Sequence, residues 1–553
     1  MAGHSQPGGV FHPALIRAAR SRRDVLIIVA VWLALAGILL CLARQNLAEP
    51  GAYYDETNYG GLAKDFLAGK SPHGEHWNAW IGFPYSVQVF GRPFPVFIAS
   101  YMGAVKSWLL ILTFSIFGPS LTVIRLTSLT CGLLALLVFM LWVRRWLGRN
   151  AAVVFGLLVA FDPSFFFGTL IDWGGISPSI LCKACCFYCT VSWWRKPHYG
   201  YAALAGAFAG LGFFHKIDIA IPFGAAAVAA AIAYARPLLA RLAAKRWTLA
   251  VAAGGFLVPA SVMLLNLPRV FSTRMPIGPT DPNEKIGTLF AMYDGSYYYR
   301  LMDFGGIFYR IFSWSAPIFV PLGIILALAG LYLLSCILTG RLGTRHKRGA
   351  VFLCLSTLLV TLGVLILPAA TRLHHAMVVF PFSHLLIASG MAMFYRRFSK
   401  PQIGYKLARL LPVAGLMVIL ATQAHAIHKT EQLIHATGGR GWWSDSMADF
   451  CKSVKCRKDL TIASLDWGFN EQLLFSTDGP KLVEPFWANP DALPPGMPKP
   501  TNWVFLVHPD YYTFFRCGTE LLKDAQARPE DVEIKPYCDR QGQVAFYSIR
   551  YMK

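Results

Sequence analysis

Long apolar runs, each closed by a short cluster of arginine and lysine, constrain this chain more than any motif in it. A run of about 20 apolar residues is long enough to cross the hydrocarbon of a bilayer as a helix, the form in which a single segment satisfies its own backbone there. The basic clusters are Arg144, Arg145 and Arg149; Arg195 and Lys196; Arg236, Arg241, Lys245 and Arg246; Arg341, Arg345, Lys347 and Arg348; and Arg396, Arg397 and Lys400. Their placement in short loops between apolar runs is a positive-inside pattern. The net charge of +22 therefore points to anionic membrane lipids as its counter-charge, and no nucleic-acid partner is expected. With 55% hydrophobic and only 14% charged residues, the chain reads as a polytopic membrane protein, not a string of soluble domains.

Counting outward from the basic loops gives about 11 transmembrane helices: 25–43, 121–143, 151–169, 176–194, 200–216, 218–235, 248–266, 311–338, 350–368, 376–394 and 407–425. Arg17, Arg20, Arg22 and Arg23 before the first run put the N-terminus in the cytoplasm, and that run is too long for a removed signal peptide. Pro95 to Phe117 is also apolar, but a crossing there would turn every later basic cluster outward. It is expected to lie along the outer surface as an interfacial or re-entrant helix with Lys106 toward water. Three segments are left outside: 44–120, 267–310 and 426–553. The division expected is thus a membrane module over 1–425 and a soluble domain over 426–553. This tail alternates β-type runs (Leu460 to Leu465, Trp503 to Val507, Val544 to Ile549) with helical stretches and Pro-rich breaks around Pro490 to Pro500, which reads as an α/β domain. Four of the twelve cysteines, Cys451, Cys456, Cys517 and Cys538, fall in it, an even set compatible with two disulfides in an oxidising compartment.

Two adjacent carboxylates, Asp55 and Glu56, stand about ten residues past the end of the first run, in Tyr53-Tyr54-Asp55-Glu56. An acid there can be a general base, bind a metal, or cap the helix that continues through Asn58 to Leu67. The two side chains cannot point the same way, so they are expected to differ in role. Cys182, Cys185, Cys186 and Cys189 form one helical stripe and cannot surround a zinc ion; they read as packing residues. Lys183 on the same helix needs a buried partner, with Asp172 or Asp162 as candidates. His73-Gly74-Glu75-His76 admits a divalent metal but lacks the helical HExxH spacing, and no metal ligand is assigned. Phosphate loops of the nucleotide-binding kind, GxxxxGK[ST] or GxGxxG after a strand, do not occur.

The order of several short motifs resembles a known family. Tyr54-Asp55-Glu56, Arg92-Pro93, Phe117-Gly118-Pro119-Ser120, Arg125-Leu126-Thr127-Ser128, Arg144-Arg145-Trp146-Leu147-Gly148, Phe161-Asp162-Pro163-Ser164, Ala209-Gly210-Leu211-Gly212 and His215-Lys216 follow the layout of the protein O-mannosyltransferase and aminoarabinose-transferase group. These are GT-C glycosyltransferases, family 39-like. The resemblance covers residues 20–220 well and is weaker over 370–395, where Arg372, His374, His375 and Phe380-Pro381 look like the outer end of a late span in the relatives.

The resemblance implies an all-α membrane bundle of GT-C type with a soluble α/β tail. It also implies an activity, transfer of a sugar from a polyprenyl-phosphate donor to a glycan, lipid or protein acceptor, with inversion. The site would face the outer side of a bacterial inner membrane or the equivalent luminal face. Asp55 maps onto the base that takes the acceptor proton, with Glu56 raising its proton affinity or orienting the acceptor. Arg92 is the first choice for the leaving phosphate; Arg372, His374 and His375 come second and Lys216 third, with Tyr54 and Arg125 completing the substrate-binding set. Gly91 departs from the acidic residue that the aminoarabinose transferases carry there. Tyr53, Tyr54, Trp77, Trp80 and Tyr297 to Tyr299 are available to stack on sugar and prenyl chain. Two other classes compete: a transporter or flippase whose pathway uses Lys183 and Asp162, and a non-catalytic binder of lipid-linked glycans. A transporter would be expected to show an internal repeat with broken helices, and no convincing two-fold repeat occurs.

Overall fold

The computed structural model describes residues 13–70, 86–272, 282–304, 322–340, 342–367, 372–398, 403–487 and 500–552. Its helices, in chain order, are α1 (Pro13–Gln45), α2 (Tyr54–Ala68), α3 (Val105–Phe117), α4 (Leu121–Leu147), α5 (Arg149–Ala160), α6 (Pro163–Leu170), α7 (Ile176–Arg195), α8 (Tyr199–His215), α9 (Ala220–Ala244), α10 (Thr248–Ser272), α11 (Pro282–Asp294), α12 (Tyr297–Phe304), α13 (Leu322–Leu338), α14 (Thr344–Ile366), α15 (Leu373–Ala376), α16 (Phe382–Arg397) and α17 (Ile403–Thr437) in the bundle. The tail adds α18 (Ser446–Val454), α19 (Asn470–Ser476) and α20 (Thr519–Ala527).

The chain is an integral membrane protein with a helical bundle and a C-terminal sheet region. Among the described residues, seven helices are long and apolar enough to cross a bilayer, or eight if the bent pair α5 and α6 counts as one. Length and apolarity among the described residues thus do not confirm the expected count of 11. A helix occupies each of the 11 segments, but α8 and α13 have only 17 residues, and α7 interrupts its apolar surface with Lys183, Ser and Pro. The predicted span 311–338 is described only from residue 322. The bend between α5 and α6 is 64° and follows from Phe161-Asp162-Pro163. Pro163 sits at the first helical position, and the Asp162 carboxylate accepts from the N–H groups of Ser164 (2.7 Å) and Phe165 (3.3 Å), so the apolar run restarts as a new helix.

Small residues set the closest helix pair. A side chain at Gly206, Gly210 or Gly255 would bring its Cβ to 2.0, 2.2 and 2.3 Å from the carbonyl oxygens of Ala252, Phe256 and Ala203, so α8 and α10 lie backbone to backbone. Helix α4 fixes the polarity of the bundle. Arg125 near its start and Arg144 near its end are 19 residues apart, about 28 Å at 1.5 Å per residue, close to the thickness of the hydrocarbon. Basic side chains gather at the far end: Arg145 over the Tyr188 ring (4.2 Å), Arg241 over Trp194 (4.6 Å), and Arg149 on Asp24 (3.3 Å). The acidic pair and the tail lie at the opposite end.

The segment 86–103 forms two small hairpins, β1 (Ser86–Val89) with β2 (Arg92–Pro95) and β3 (Phe97–Ala99) with β4 (Met102–Gly103). They lead into α3, which at 13 residues is too short to span and exposes Leu112, Ile116 and Phe117. Lys106, expected toward water, is instead buried at 1% exposure. Its ammonium pairs with Asp172 at 2.8 Å and lies over the Tyr59 ring, which no solvated site could offer it.

Helix α17 runs without a break to Thr437, past residue 425, so one rod joins the last span to the tail. The tail sheet comprises β5 (Thr461–Ser464), β6 (Lys481–Val483), β7 (Trp503–Val507), β8 (Val532–Cys538) and β9 (Val544–Tyr551) in the order β6-β5-β7-β9-β8. Strands β5, β6 and β7 are mutually parallel and β9 pairs antiparallel with β7 and β8. The Pro-rich stretch falls mostly on 488–499, outside the described residues. All twelve cysteines are free thiols, so the two expected disulfides are absent; Cys451 and Cys517 are buried while Cys456 is exposed.

Candidate functional site

The first turn of α2 is assembled around one ion pair. Arg125 of α4 is fully buried and grips Glu56 with two bonds, Nε to Oε1 at 2.9 Å and Nη2 to Oε2 at 3.0 Å. Its remaining N–H groups donate to the carbonyls of Asn46 (3.1 Å) and Gly51 (3.3 Å), and Glu56 Oε2 also accepts from the Tyr53 backbone N–H (3.2 Å). The end of α1, the connecting loop and the start of α2 are thereby locked to α4. Glu56, expected as a second catalytic acid, has its oxygens committed to this lock.

Asp55 is the next residue back, about 100° around the helix, and points elsewhere. It is half-buried, and among the described residues it makes no hydrogen bond or ion pair. Burial raises its carboxyl; Arg372, Lys216 and Lys106 pull it back and Asp172 opposes them, leaving it at about 6. The three cations come from separate parts of the chain, and two of them, Lys106 and Arg372, meet the turn Asp172-Trp173-Gly174-Gly175. Asp172, Gly174 and Gly175 have φ of +50°, +72° and +68°, and a Cβ on Gly175 would sit 2.5 Å from the Tyr59 hydroxyl and 2.8 Å from His215 Nε2. Asp172 receives Lys106 and accepts from the Ser177 N–H at 2.7 Å. Trp173 stands buried between Tyr53 (5.4 Å), His374 (5.3 Å) and Trp443 (5.7 Å), with the Arg372 guanidinium 5.9 Å over its ring.

Lys216 donates to the His374 carbonyl (3.1 Å) and pairs with Asp218 (3.1 Å), which also receives His375 at 3.3 Å. Arg372, Lys216, His374 and His375 thus share one wall. Tyr54 is buried with its ring 4.9 Å from that of Trp467 in the tail. Tyr53 stacks on Trp443 at 4.1 Å. Of the aromatic set, Tyr297 and Tyr298 are buried, the former accepting from the Leu373 N–H at 3.1 Å; Trp77 and Trp80 lie outside the described residues.

Arg92, the first choice for a phosphate contact, is not brought to this wall. It is exposed at the tip of the β1–β2 hairpin and donates to the Leu67 carbonyl (3.3 Å). Leu67 is twelve residues along α2 from Asp55, about 18 Å at 1.5 Å per residue, beyond the reach of an arginine side chain. Lys183 is satisfied by the carbonyls of Val378 (3.1 Å) and Phe380 (2.6 Å), not by Asp172 or Asp162. Asp162 caps α6 and pairs with His384 at 2.6 Å. The segment His73 to His76 is outside the described residues. Among those that are described, no three His, Cys, Asp or Glu side chains converge as a metal site.

Three contributors escaped the sequence reading, Asp218, Trp173 and Glu471 of the tail, while Asp172, expected as a partner of Lys183, holds Lys106 instead. The Gly174-Gly175 pair between two apolar runs was the available signal for the turn. Nothing local marked Glu471.

Residues 103–265 match the family model of dolichyl-phosphate-mannose-protein mannosyltransferases, a stretch that holds Lys106, Arg125, Asp172, Lys216 and Asp218. No curated protein matches the chain in sequence. Among solved structures, it is similar to ArnT from Cupriavidus metallidurans in the apo state, with TM-score 0.56 at 15% identity over 96% of this chain and 98% of that one. The same ArnT bound to undecaprenyl phosphate gives 0.52 at 15% identity over 95% and 97%. The oligosaccharyltransferase of Archaeoglobus fulgidus in the apo form gives 0.50 at 13% identity over 84% and 65%. The chain has the fold of the GT-C glycosyltransferases, and the resemblance carried by its motifs stands.

Proposed function

We propose that the protein is a glycosyltransferase that moves a sugar from a polyprenyl-phosphate donor to an acceptor hydroxyl on the non-cytoplasmic side of the membrane. The observation that carries this reading is Asp55: a half-buried carboxyl, without hydrogen-bond partner among the described residues, facing a wall of Arg372, Lys216 and Lys106. An unengaged acid of raised proton affinity is suited to take a proton. The cations opposite are suited to receive a phosphate as charge grows on it. In the step proposed, the acceptor O–H gives its proton to Asp55, its oxygen bonds to the anomeric carbon, and the bond from that carbon to the phosphate oxygen breaks. The leaving polyprenyl phosphate keeps the electron pair, and attack opposite to it inverts the anomeric centre. Arg372 and Lys216 replace Arg92 as the phosphate contacts. Glu56 and Arg125 act by positioning the first turn of α2.

The undecaprenyl phosphate bound in the similar ArnT structure is consistent with a lipid anion here. The intramembrane charges a transporter would need, Lys183 and Asp162, are each engaged by the protein itself. The outer face of a bacterial inner membrane is the setting that the basic end of the bundle favours. The test is purified protein with radiolabelled polyprenyl-phosphate sugars: Asp55→Asn should lose transfer by about 10³-fold or more while remaining folded and inserted. Full activity in that variant would remove the assignment.

A further inference from the structure

The tail contributes a carboxyl to the same site for which the transfer step has no use. Glu471, in the first turn of α19, is 3% exposed, and neither of its oxygens has a hydrogen-bond partner among the described residues. Asn470 beside it is also buried, with Oδ1 unsatisfied. Buried acceptors left without donors cost free energy, and proteins rarely keep them without a reason.

Helix α19 lies along α2 in the same direction: Tyr54 lies near Glu471, Gly60 meets the Phe475 ring, and Lys64 and Lys70 reach Asp478. Glu471 therefore stands at the Asp55 end of α2. The charges acting on it are those of Glu484 and Asp55. Burial first, and Glu484 second, hold its proton affinity well above the ordinary carboxyl range.

The surroundings of Asp55 are thus two-sided, with Arg372, Lys216 and Lys106 on the bundle side and Glu471 with Glu484 on the tail side. An anionic lipid phosphate belongs with the cations. What remains for the carboxyl side is a group that brings hydrogen-bond donors and no negative charge. We propose that Glu471, with Asn470 and Tyr54, is the acceptor subsite and selects a neutral, hydroxyl-rich sugar or polyol group over a phosphorylated one. This rests on the transferase reading above. Acceptor hydroxyls donate to the orphaned oxygens of Glu471 and Asn470, and Trp467 next to Tyr54 offers a flat face to the ring.

Purified full-length variants reconstituted into membrane vesicles from a strain lacking the gene, which present their own donor and acceptor, give the test. Glycosylated envelope material is followed by mass spectrometry, binding of undecaprenyl phosphate by native mass spectrometry, and Tm by thermal unfolding. Glu471→Leu should lower product at least about 10-fold, leave undecaprenyl phosphate binding within about 3-fold, and leave Tm equal or higher, because an unpartnered buried acid has been removed. Glu471→Gln, which can still accept and donate, should retain product within about 3-fold. The modified position should be a neutral sugar or polyol. Undiminished product in Glu471→Leu, a joint fall of Tm and lipid binding, or a product bearing the sugar on a phosphate or phosphorylated residue overturns the proposal. If wild-type protein yields no product at all, it is the transferase reading that fails.

Discussion

A carboxyl held at about 6 is mostly ionised at neutral pH, and this shapes both rate and stability at Asp55. As the base must be ionised, kcat/KM for transfer should fall about tenfold per pH unit below about pH 6, and a flat profile from pH 7 to 5 would contradict the role. For stability the sign is opposite to that of a salt-bridged acid. The folded value lies above the ordinary carboxyl value, so ionisation between about pH 4 and 6 works against the fold. Asp55→Asn should therefore keep or raise Tm at pH 7 while losing activity. Glu56 and Arg125 instead form a fully buried ion pair. Arg125→Met strands a fully buried carboxylate and should cost about 3–5 kcal/mol in unfolding experiments, and Glu56→Leu on top of it should restore much of that loss. The adjacent acids were legible in the sequence, as was the need for them to differ. That Arg125 claims Glu56 was open beforehand, since a helix-start arginine pairs with whichever loop acid the fold delivers.

Among the elements, the tightest constraint is the contact of α8 with α10. Gly206→Leu or Gly210→Leu forces two backbones apart that approach within a Cβ of each other, and should reduce the yield of folded protein, read by size-exclusion of detergent extracts. Gly175→Ala is subtler, because it combines a φ of +68° with a clash against Tyr59 and His215. A destabilisation of about 1–3 kcal/mol is expected, with transfer reduced more than expression as the cation wall shifts. Apolar runs, basic loops and the three tail strands could be read from the sequence because each depends on local periodicity. The placements of Lys106 and Arg92 could not. An apolar helix with one lysine looks amphipathic until another element supplies Asp172 at its side, and an arginine on a hairpin has a position set wholly by where the hairpin packs.

At the scale of the whole molecule, the tail is fastened to the bundle by charge as well as by α19. Arg540 bonds Glu49, in the loop after the first helix, and Asp445 (2.7 Å), and His435 reaches Glu49 as well (2.7 Å). Burial opposes ionisation of Glu49, but the bonds from Arg540 and His435 prevail and lower its pKa. This contribution is present above the ordinary carboxyl value and lost as pH falls through the lowered one. The cluster is partly exposed, so Arg540→Ala should cost no more than about 1 kcal/mol, detectable as faster, salt-sensitive proteolysis of the tail. None of this clasp could be inferred beforehand, since its members are separated by nearly the full length of the chain.

The unbroken helix α17 has 35 residues, about 52 Å of rod against about 30 Å of hydrocarbon. It works as a mast: the tail that carries Glu471 follows its upper end in the chain, while a lipid substrate floats with the headgroups. The altitude of the reacting atoms above the bilayer is then a property of the protein, and the altitude of the donor a property of the membrane. Acyl chains much shorter or longer than the native ones should slow turnover by misaligning the two, with no change in the protein's own structure.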